Sequence, residues 1–399
     1  MLIAHKIALD PNNVQATYFA KAAGTARFAY NWALAEWKRQ YEEWKADNSK
    51  PKPSEASLRR QLNAIKREKF PWMLEVTKCA PQIAIMQLGN AFKNFFAGRA
   101  GYPQFRKKGE HDRFAISNDT FSVDGSRIRI PKIGWVRMRE SLRFAGKIMS
   151  ATISRVADRW FVSITVDIPD GPHLPKAENQ GVVGVDLWVS ALATLSTGEV
   201  VGGPKAYKSL LPRLQRLSRS LSRKVKGSEN YKKAKLKLAR LHARIAAIRN
   251  DALHQLTTSL TRRFHTIVVE GLNVRGMLKN RHLARSIADM GFFEFRRQLE
   301  YKAAWRGGTV VVADRFFSSS KTCSDCGHKL ETLPLSVRKW TCPACGSVHD
   351  RDVNAAINLK NLAVSSTVSA CGEEGSGLGH KTQVKPASVK QEAGSGSVQ

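Results

Sequence analysis

The first half of the chain contains several short segments in which apolar and polar residues alternate. In Arg127–Ile130 every second residue is apolar, and the segments FAIS, FSVD, GWVRMR, MSATISR and RWFVSITVDI follow similar patterns. A period of two is typical of strands with one buried face and one solvent-facing face, which is cationic here. Gly and Asp residues between the segments indicate turns. We therefore predict a small antiparallel β-barrel in this region, and a further short strand before Pro11.

A helical period replaces this alternation in the residues after Val14. In the stretch ARFAYNWALAEWKRQYEEWK the aromatic residues recur at spacings that favour a buried helix face. The polar, proline-containing residues 46–57 predict a loop, and a second helix is predicted from about Ala80 to Ala97. Together these elements predict a helical lobe. Near the start of the second helix, Lys78 and Gln82, four residues apart, could reach base edges of a nucleic acid or simply face solvent.

In the second half of the chain, apolar strands end in acidic residues. Val182, Val183 and Val185 lead to Asp186, and the strand that begins near Thr266 ends in Glu270. A carboxylate has no packing role at the end of an apolar strand, so it usually caps a turn or binds a metal.

The most cationic part of the chain lies between these two acids. Residues 205–249 contain fifteen Lys or Arg residues and a single acid, Glu229. Leucine and isoleucine recur at helical spacing on both sides of the turn at 226–228, which predicts a helical hairpin. A charged helix face is usually just solvated, but this bias favours a surface that holds a nucleic-acid backbone. The candidate contacts are Arg213, Arg216, Arg219, Arg223, Lys237, Arg240 and Arg244.

The overall charge also indicates a polyanionic partner. The 399 residues include 65 Lys or Arg against 33 Asp or Glu, which gives a net charge of +32. Nucleic acid is the natural partner for a folded body of this charge, and an anionic membrane surface is the rival. The sequence has no run of about 18 apolar residues and no signal-peptide pattern. We therefore expect a soluble, intracellular protein without a membrane partner.

Four of the six cysteines form two C-x-x-C pairs. Cys323 and Cys326 are separated by fifteen residues from Cys342 and Cys345. This spacing suits four thiolates around one Zn²⁺ ion, and four sulfur ligands leave no open position for catalysis. Two disulfides or four unrelated thiols are the alternatives. The predicted zinc is structural, so the chemistry is expected just after it, at Asp350 or Asp352.

The run HDRDVNAAINL, which follows this cysteine ribbon, resembles the end of the nuclease domain in OrfB/TnpB proteins of bacterial insertion sequences. That family is related to type V CRISPR nucleases, and the resemblance implies a protein of the bacterial cytoplasm that is associated with the nucleoid. The resemblance implies a multidomain α+β fold in which an antiparallel, wedge-like β-barrel and a helical recognition lobe precede an RNase H-like (RuvC) nuclease domain. The expected domains are a barrel at 1–11 and 101–170, a lobe at 12–100, and a nuclease domain at 181–365 that contains the zinc ribbon at 316–349. Residues 366–399, which contain almost no large apolar residue, are expected to form a disordered tail.

The resemblance also implies an active site. Asp186, Glu270 and Asp352 match the catalytic acids, and Asp352 is preferred over Asp350 because it directly precedes the x-N-A-A run. Trp188 and Ser190 depart from the family pattern, which commonly has small and basic residues there. Carboxylates are the ligands that Mg²⁺ prefers, and two Mg²⁺ ions would serve phosphodiester hydrolysis.

The implied function is RNA-guided cleavage of double-stranded DNA next to a short flanking motif. The expected partners are a guide RNA encoded at the protein's own locus, bound by one protein per RNA, and double-stranded target DNA. Two alternatives remain: a DNA transposase with the same triad, and a guided DNA-binding repressor that does not cleave. A repressor would be expected to have lost one of the acids, and all three are present.

Overall fold

The computed structural model describes residues 1–189, 191–334 and 336–371. Contacts within the chain divide it into two compact units. The first unit contains Met1–Ala177, Gly203–Arg262 and Val274–Gly308. The second contains Glu178–Gly202, Arg263–Asn273 and the residues from Thr309 onward. Ser190, Leu335 and most of the predicted tail lie outside the described residues.

The first unit is built on an antiparallel sheet of seven strands in the order β2-β6-β7-β1-β5-β4-β3. The strands are β1 (Leu2–Asp10), β2 (Arg113–Ser117), β3 (Ser122–Asp124), β4 (Arg127–Ile130), β5 (Gly134–Met138), β6 (Lys147–Val156) and β7 (Arg159–Asp167). The predicted alternation is present, since Ile128 and Ile130 of β4 are buried between exposed arginines. The N-terminal strand pairs with both β5 and β7, so it lies at the centre of the sheet.

Three long helices pack with this sheet in the first unit: α1 (Asn13–Ala46), α2 (Glu55–Lys69) and α3 (Cys79–Phe96), with a 3₁₀ turn at Pro71–Glu75. A capping box starts α1, because the Asn12 side chain accepts from the Gln15 amide and the Gln15 side chain accepts from the Asn12 amide. The Trp37 ring of α1 stacks on Phe92 of α3 with centroids 4.1 Å apart. The aromatic residues of α1 therefore serve largely as core.

The predicted loop at 46–57 was too long, and one helix was missed. Helix α2 begins at Glu55 because the Ser54 side chain accepts a hydrogen bond from the Ser57 amide. Leu58 and Leu62 of this helix are buried and Ile65 packs against the same core, so the helix has an apolar face at helical spacing that the sequence prediction missed.

The cationic hairpin consists of α4 (Ala206–Ser222) and α5 (Glu229–Arg263), as predicted. Gly227 allows the turn between them, with a positive φ of 92°. Leu210, Leu214 and Leu217 pack against the buried residues Leu241 and Ile245. Three further helices follow: α6 (Val274–Met277), α7 (Ala284–Met290) and α8 (Phe292–Trp305).

These helices lie in the first unit, so the predicted nuclease domain at 181–365 includes stretches of both units. Two contacts illustrate this placement. Trp305 packs edge-on against Phe144 with ring centroids 5.7 Å apart, and Arg240 forms an ion pair of 2.7 Å with Asp158. The chain therefore leaves the second unit twice and returns to it.

The second unit has a five-stranded mixed sheet in the order β10-β9-β8-β11-β12. Its strands are β8 (Asn179–Asp186), β9 (Ala193–Leu195), β10 (Val200–Val201), β11 (Phe264–Glu270) and β12 (Thr309–Ala313). Strand β11 runs parallel to both β8 and β12. The cysteine ribbon, residues 316–349, contributes β13 (Lys339–Thr341), which pairs with β14 (Val348–Asp350).

The last helix, α9 (Arg351–Cys371), packs on this sheet. Leu359 and Ala363 of α9 are buried against Val268 and Ala313. The approach to β8 is so close that a Cβ atom at Gly184 would collide with the Ala356 carbonyl. Helix α9 continues to Cys371, past the predicted start of the disordered tail at residue 366. Within the described ranges, no helix is long and apolar enough to cross a membrane.

Candidate active site and cysteine cluster

Two of the predicted catalytic acids lie side by side at the same edge of the second unit's sheet. Strands β8 and β11 are parallel and Val185 pairs with Val269, so Asp186 and Glu270 are the next residues on adjacent strands. Neighbouring strands are about 4.8 Å apart. Asp186 is only 7% exposed. Both carboxylates therefore converge where two parallel strands end.

The two candidates for the third acid lie at the start of α9, with Asp352 in its first turn and Asp350 directly before the helix, and they form different hydrogen bonds. One oxygen of Asp350 accepts the backbone N–H groups of Asp352 and Val353, each at 3.1 Å. Asp350 therefore serves as the cap of the helix. The Asp352 carboxylate instead accepts a hydrogen bond of 3.2 Å from Arg338.

The electrostatics connect the three acids. Burial raises the pKa of Asp186 well above its usual range, and the charges of Glu270 and Asp352 raise it further. Burial also raises the pKa of Glu270 and of Asp352. Full ionisation of three neighbouring, partly desolvated carboxyl groups is unfavourable unless a cation balances their negative charge.

The acids therefore fit a divalent cation in ligand chemistry and in charge. Carboxylate oxygens are hard ligands of the kind that Mg²⁺ takes. Within the described residues the three carboxylates do not form a group whose ligand atoms all lie within 4.8 Å of one another. At least one pair of these carboxylates is therefore separated by more than 4.8 Å.

Three neighbours of the acids were not predicted from the sequence. The Ser319 hydroxyl donates to Glu270 Oε1 at 2.7 Å. The guanidinium of Arg338 lies 4.4 Å from the centre of the Trp188 ring, so Trp188 helps to hold the group that binds Asp352. Arg351 is buried, and its charge opposes the rise in the pKa of Asp186. Their roles depend on contacts with distant parts of the chain, which no local pattern displays.

The four cysteines of the ribbon come together. The sulfur atoms of Cys323, Cys326, Cys342 and Cys345 all lie within 4.8 Å of one another. Cys323 and Cys345 are 3.7 Å apart, and Cys326 and Cys342 are 3.6 Å apart. A disulfide requires about 2.05 Å, whereas tetrahedral Zn–S bonds of about 2.3 Å place sulfurs about 3.8 Å apart. The cluster can hold zinc, and the disulfide alternative is wrong for these four residues.

A histidine lies beside this cluster. Nε2 of the buried His349 is 3.0 Å from Cys323 Sγ, and the His349 ring packs on Trp340. A nitrogen that donates to a thiolate orients the ligand and stabilises its charge. His349 belongs to β14, which leads directly into α9.

The predicted nucleic-acid contacts are all exposed. Lys78 precedes the first turn of α3 and Gln82 lies in that turn. In the hairpin Arg240 is engaged with Asp158, which the sequence did not predict. The other six form no ion pair with an acid in the described part of the chain: Arg213, Arg216, Arg219, Arg223, Lys237 and Arg244.

Comparisons with known proteins give the family. A profile described as “Probable transposase” (OrfB of IS605) matches residues 162–281, and one described as “Cas12f1-like, TNB domain” matches 292–359. A protein from Streptomyces pristinaespiralis, named “Putative RNA-guided DNA endonuclease”, is 38% identical over 98% of this chain and 96% of its own length. InsQ of Escherichia coli K12, which has the same description, is 37% identical over 93% of this chain and 94% of its own. The chain belongs to the OrfB/TnpB family.

A solved structure supports the fold of this family member. The Cas12f1 chain in a complex with single-guide RNA and target DNA matches with a TM-score of 0.58 and 14% identity, over 88% of this chain and 83% of that one. The fold is thus that of a Cas12/TnpB-like protein with mixed α and β structure. A further profile, described as “Helix-turn-helix domain”, matches residues 1–46. In this OrfB/TnpB protein those residues form β1 and the single long helix α1, which is not a helix-turn-helix arrangement.

Proposed function

We propose that this protein is an RNA-guided DNA endonuclease that cleaves target DNA next to a short flanking motif by two-metal-ion hydrolysis. The observation that carries the proposal is the convergence of Asp186, Glu270 and Asp352 from two strand ends and a helix start. Support also comes from the relatives, whose printed names describe RNA-guided DNA endonucleases.

The proposal assigns a role to each compact unit. The sheet of the second unit, with α9, is the RuvC-like nuclease core, and the first unit's seven-stranded sheet is the wedge-like barrel beside the recognition lobe at 12–100. The nuclease domain at 181–365 then includes helices that pack in the first unit.

The active-site residues would hold two Mg²⁺ ions. When bound, these ions would neutralise charge on the attacking and leaving oxygens of the phosphodiester and acidify water. Asp186 and Glu270 provide carboxylates from rigid strand ends, and Asp352 provides one from the helix. Arg338 holds the Asp352 side chain in one position, and Asp350 fixes the helix turn that carries it. The chain therefore needs no dedicated general base.

The cationic hairpin would hold the RNA–DNA hybrid. Its exposed arginines and lysines lie along α4 and α5, where they can contact phosphates without reading bases. Sequence reading is then left to base pairing with the guide RNA. Lys78 and Gln82, exposed at the start of α3, are the candidates for contact with the flanking motif. The ribbon cysteines would hold one structural Zn²⁺ ion.

The experiment is to purify the protein from cells that express its own locus and to sequence the RNA that accompanies it. We expect one discrete RNA, one copy per protein, ending in a segment that directs Mg²⁺-dependent cutting of a matching plasmid. Asp186→Ala should abolish cutting and leave RNA and DNA binding intact. A heterogeneous RNA mixture, with cutting that needs no RNA, would refute the proposal.

The transposase alternative keeps one specific support, which is the description of the profile that matches 162–281. Incubation of the protein with transposon-end DNA tests it directly. Joining of those ends to a target would favour a strand-transfer enzyme, whereas cleavage without joining favours the endonuclease.

A further inference from the structure

The segment that begins the cysteine ribbon also touches the active site. Ser319 is 4% exposed, and its hydroxyl donates to Glu270 Oε1 at 2.7 Å. Four residues later the same segment reaches Cys323, the first cysteine of the cluster. Ser319 therefore links the cysteine cluster to the candidate active site, two sites that the sequence does not show to be in contact.

Helix α9 fixes the backbone of this segment through two buried asparagines. Asn358 Nδ2 donates to the carbonyls of Ser319 and Thr322 at 2.7 and 2.6 Å. Asn354 Nδ2 donates to the Thr322 carbonyl at 2.8 Å, and its Oδ1 accepts the Ser324 amide at 2.9 Å. Asn354 is 1% exposed and Asn358 is 7% exposed, and the two lie one helical turn apart on the same face of α9.

These contacts tie together the acids that come from different elements. Helix α9 carries Asp352 in its first turn and, through Asn354 and Asn358, holds the segment that bonds Glu270. Buried amides are costly unless they are hydrogen-bonded, and both of these are bonded to backbone groups. The segment therefore cannot shift without breaking several bonds.

We propose that Ser319 is a positioning residue for Glu270, which it reaches from a segment that Asn354 and Asn358 of the Asp352-bearing helix hold in place. This inference rests on the proposed nuclease function. The hydrogen bond from Asn358 to residue 319 uses only the backbone carbonyl, so it would also form if residue 319 were alanine. The hydroxyl of Ser319 serves to orient Glu270. Removing it therefore tests this orientation without disturbing the hydrogen bonds that hold the ribbon segment.

The test compares Ser319→Ala with Ser320→Ala, which removes the same hydroxyl group from the next residue. Loss of a hydrogen bond to a metal-ligating carboxylate typically costs about 10- to 100-fold in metal affinity or activity. We expect the Mg²⁺ concentration for half-maximal single-turnover cleavage to rise by about that factor in Ser319→Ala. Target-DNA affinity and zinc content should be unchanged, and Ser320→Ala should behave as the wild type.

A second measurement does not depend on cleavage. Titration of the full-length protein with Mn²⁺, followed by electron paramagnetic resonance, should show weaker binding in Ser319→Ala than in Ser320→Ala. Equal Mn²⁺ affinities and equal Mg²⁺ requirements in the two variants would overturn the inference. Asp186→Ala is included in every assay: if it cleaves normally the proposed function itself fails, whereas if it is inactive and Ser319→Ala is normal only the positioning role fails.

Discussion

Replacement of Asp186 by asparagine should make the protein more stable and inactive at the same time. The amide keeps the shape of the side chain and removes its charge. Asp186 is 7% exposed, and it lies beside Glu270 and Asp352, whose charges disfavour its ionised form. In the absence of a cation the ionised carboxylate therefore opposes folding, and its removal should relieve both desolvation and like-charge repulsion.

The expected gain in the free energy of unfolding is about 1 kcal/mol, within the usual 0.5–2 kcal/mol for relief of such a site. With Mg²⁺ present, the wild type should instead become more stable than Asp186→Asn. An ion at ten times its dissociation constant stabilises the protein that binds it by about 1.4 kcal/mol. Wild-type protein gains this amount and Asp186→Asn does not. Cleavage should fall by about 1000-fold or more, since the metal contributes several kcal/mol of transition-state stabilisation.

The assay is thermal or urea unfolding with and without Mg²⁺, in a buffer free of chelators so that zinc is retained. Glu331→Gln, which neutralises an exposed acid of the ribbon, is the control and should change stability by less than about 0.5 kcal/mol. A loss of more than about 1 kcal/mol in Asp186→Asn without Mg²⁺ would refute the reasoning, because the carboxylate would then be a structural group.

Four further predictions test other parts of the molecule. Cys342→Ser should lose bound zinc by elemental analysis and most soluble folded protein, because structural zinc contributes on the order of 10 kcal/mol or more to small metal-dependent folds. Gly184→Ala should cost about 1–3 kcal/mol in unfolding experiments, since the new methyl group overlaps the backbone of α9. Burial lowers the pKa of Lys302 to about 8, so the native state loses this proton at a lower pH than the unfolded state does. The free energy of unfolding of the wild type relative to that of Lys302→Met should therefore rise as the pH increases from about 8 towards 10. A difference that does not change with pH would contradict this prediction. Arg219→Ala should weaken RNA binding and reduce the slope of log affinity against log salt by about 1, whereas an unchanged slope would remove Arg219 from the phosphate contacts.

The sequence predicted the elements that have a clear period. Strands that end in Asp186 and Glu270 are strongly apolar, and the hairpin at 205–249 combines a leucine period with a turn glycine, so both were found. Helix α2 was missed although Leu58, Leu62 and Ile65 recur at helical spacing, because the residues around them are mostly polar or charged.

The contacts between distant parts of the chain could not be predicted in the same way. The hairpin belongs to the first unit, in which Arg240 forms an ion pair with Asp158, although its sequence lies between two strands of the second. Ser319 and Arg338 have no local pattern that marks them, because each acts on a carboxylate brought from elsewhere. Asp350 and Asp352 are two residues apart in the chain, and the difference in their hydrogen bonds is visible only in the structure.

The second unit is assembled from three separated stretches of chain, and each stretch brings one acid. Asp186 and Asp352 are 166 positions apart in the sequence. A ribosome that adds 5–20 residues per second needs about 8–33 s to make the residues between them. Within that interval the nascent chain gains the cationic hairpin, the proposed RNA contact, before it has a complete set of carboxylates. On the proposed function, the guide RNA can thus be captured during translation, and the capacity to cut DNA arises only once α9 has left the ribosome.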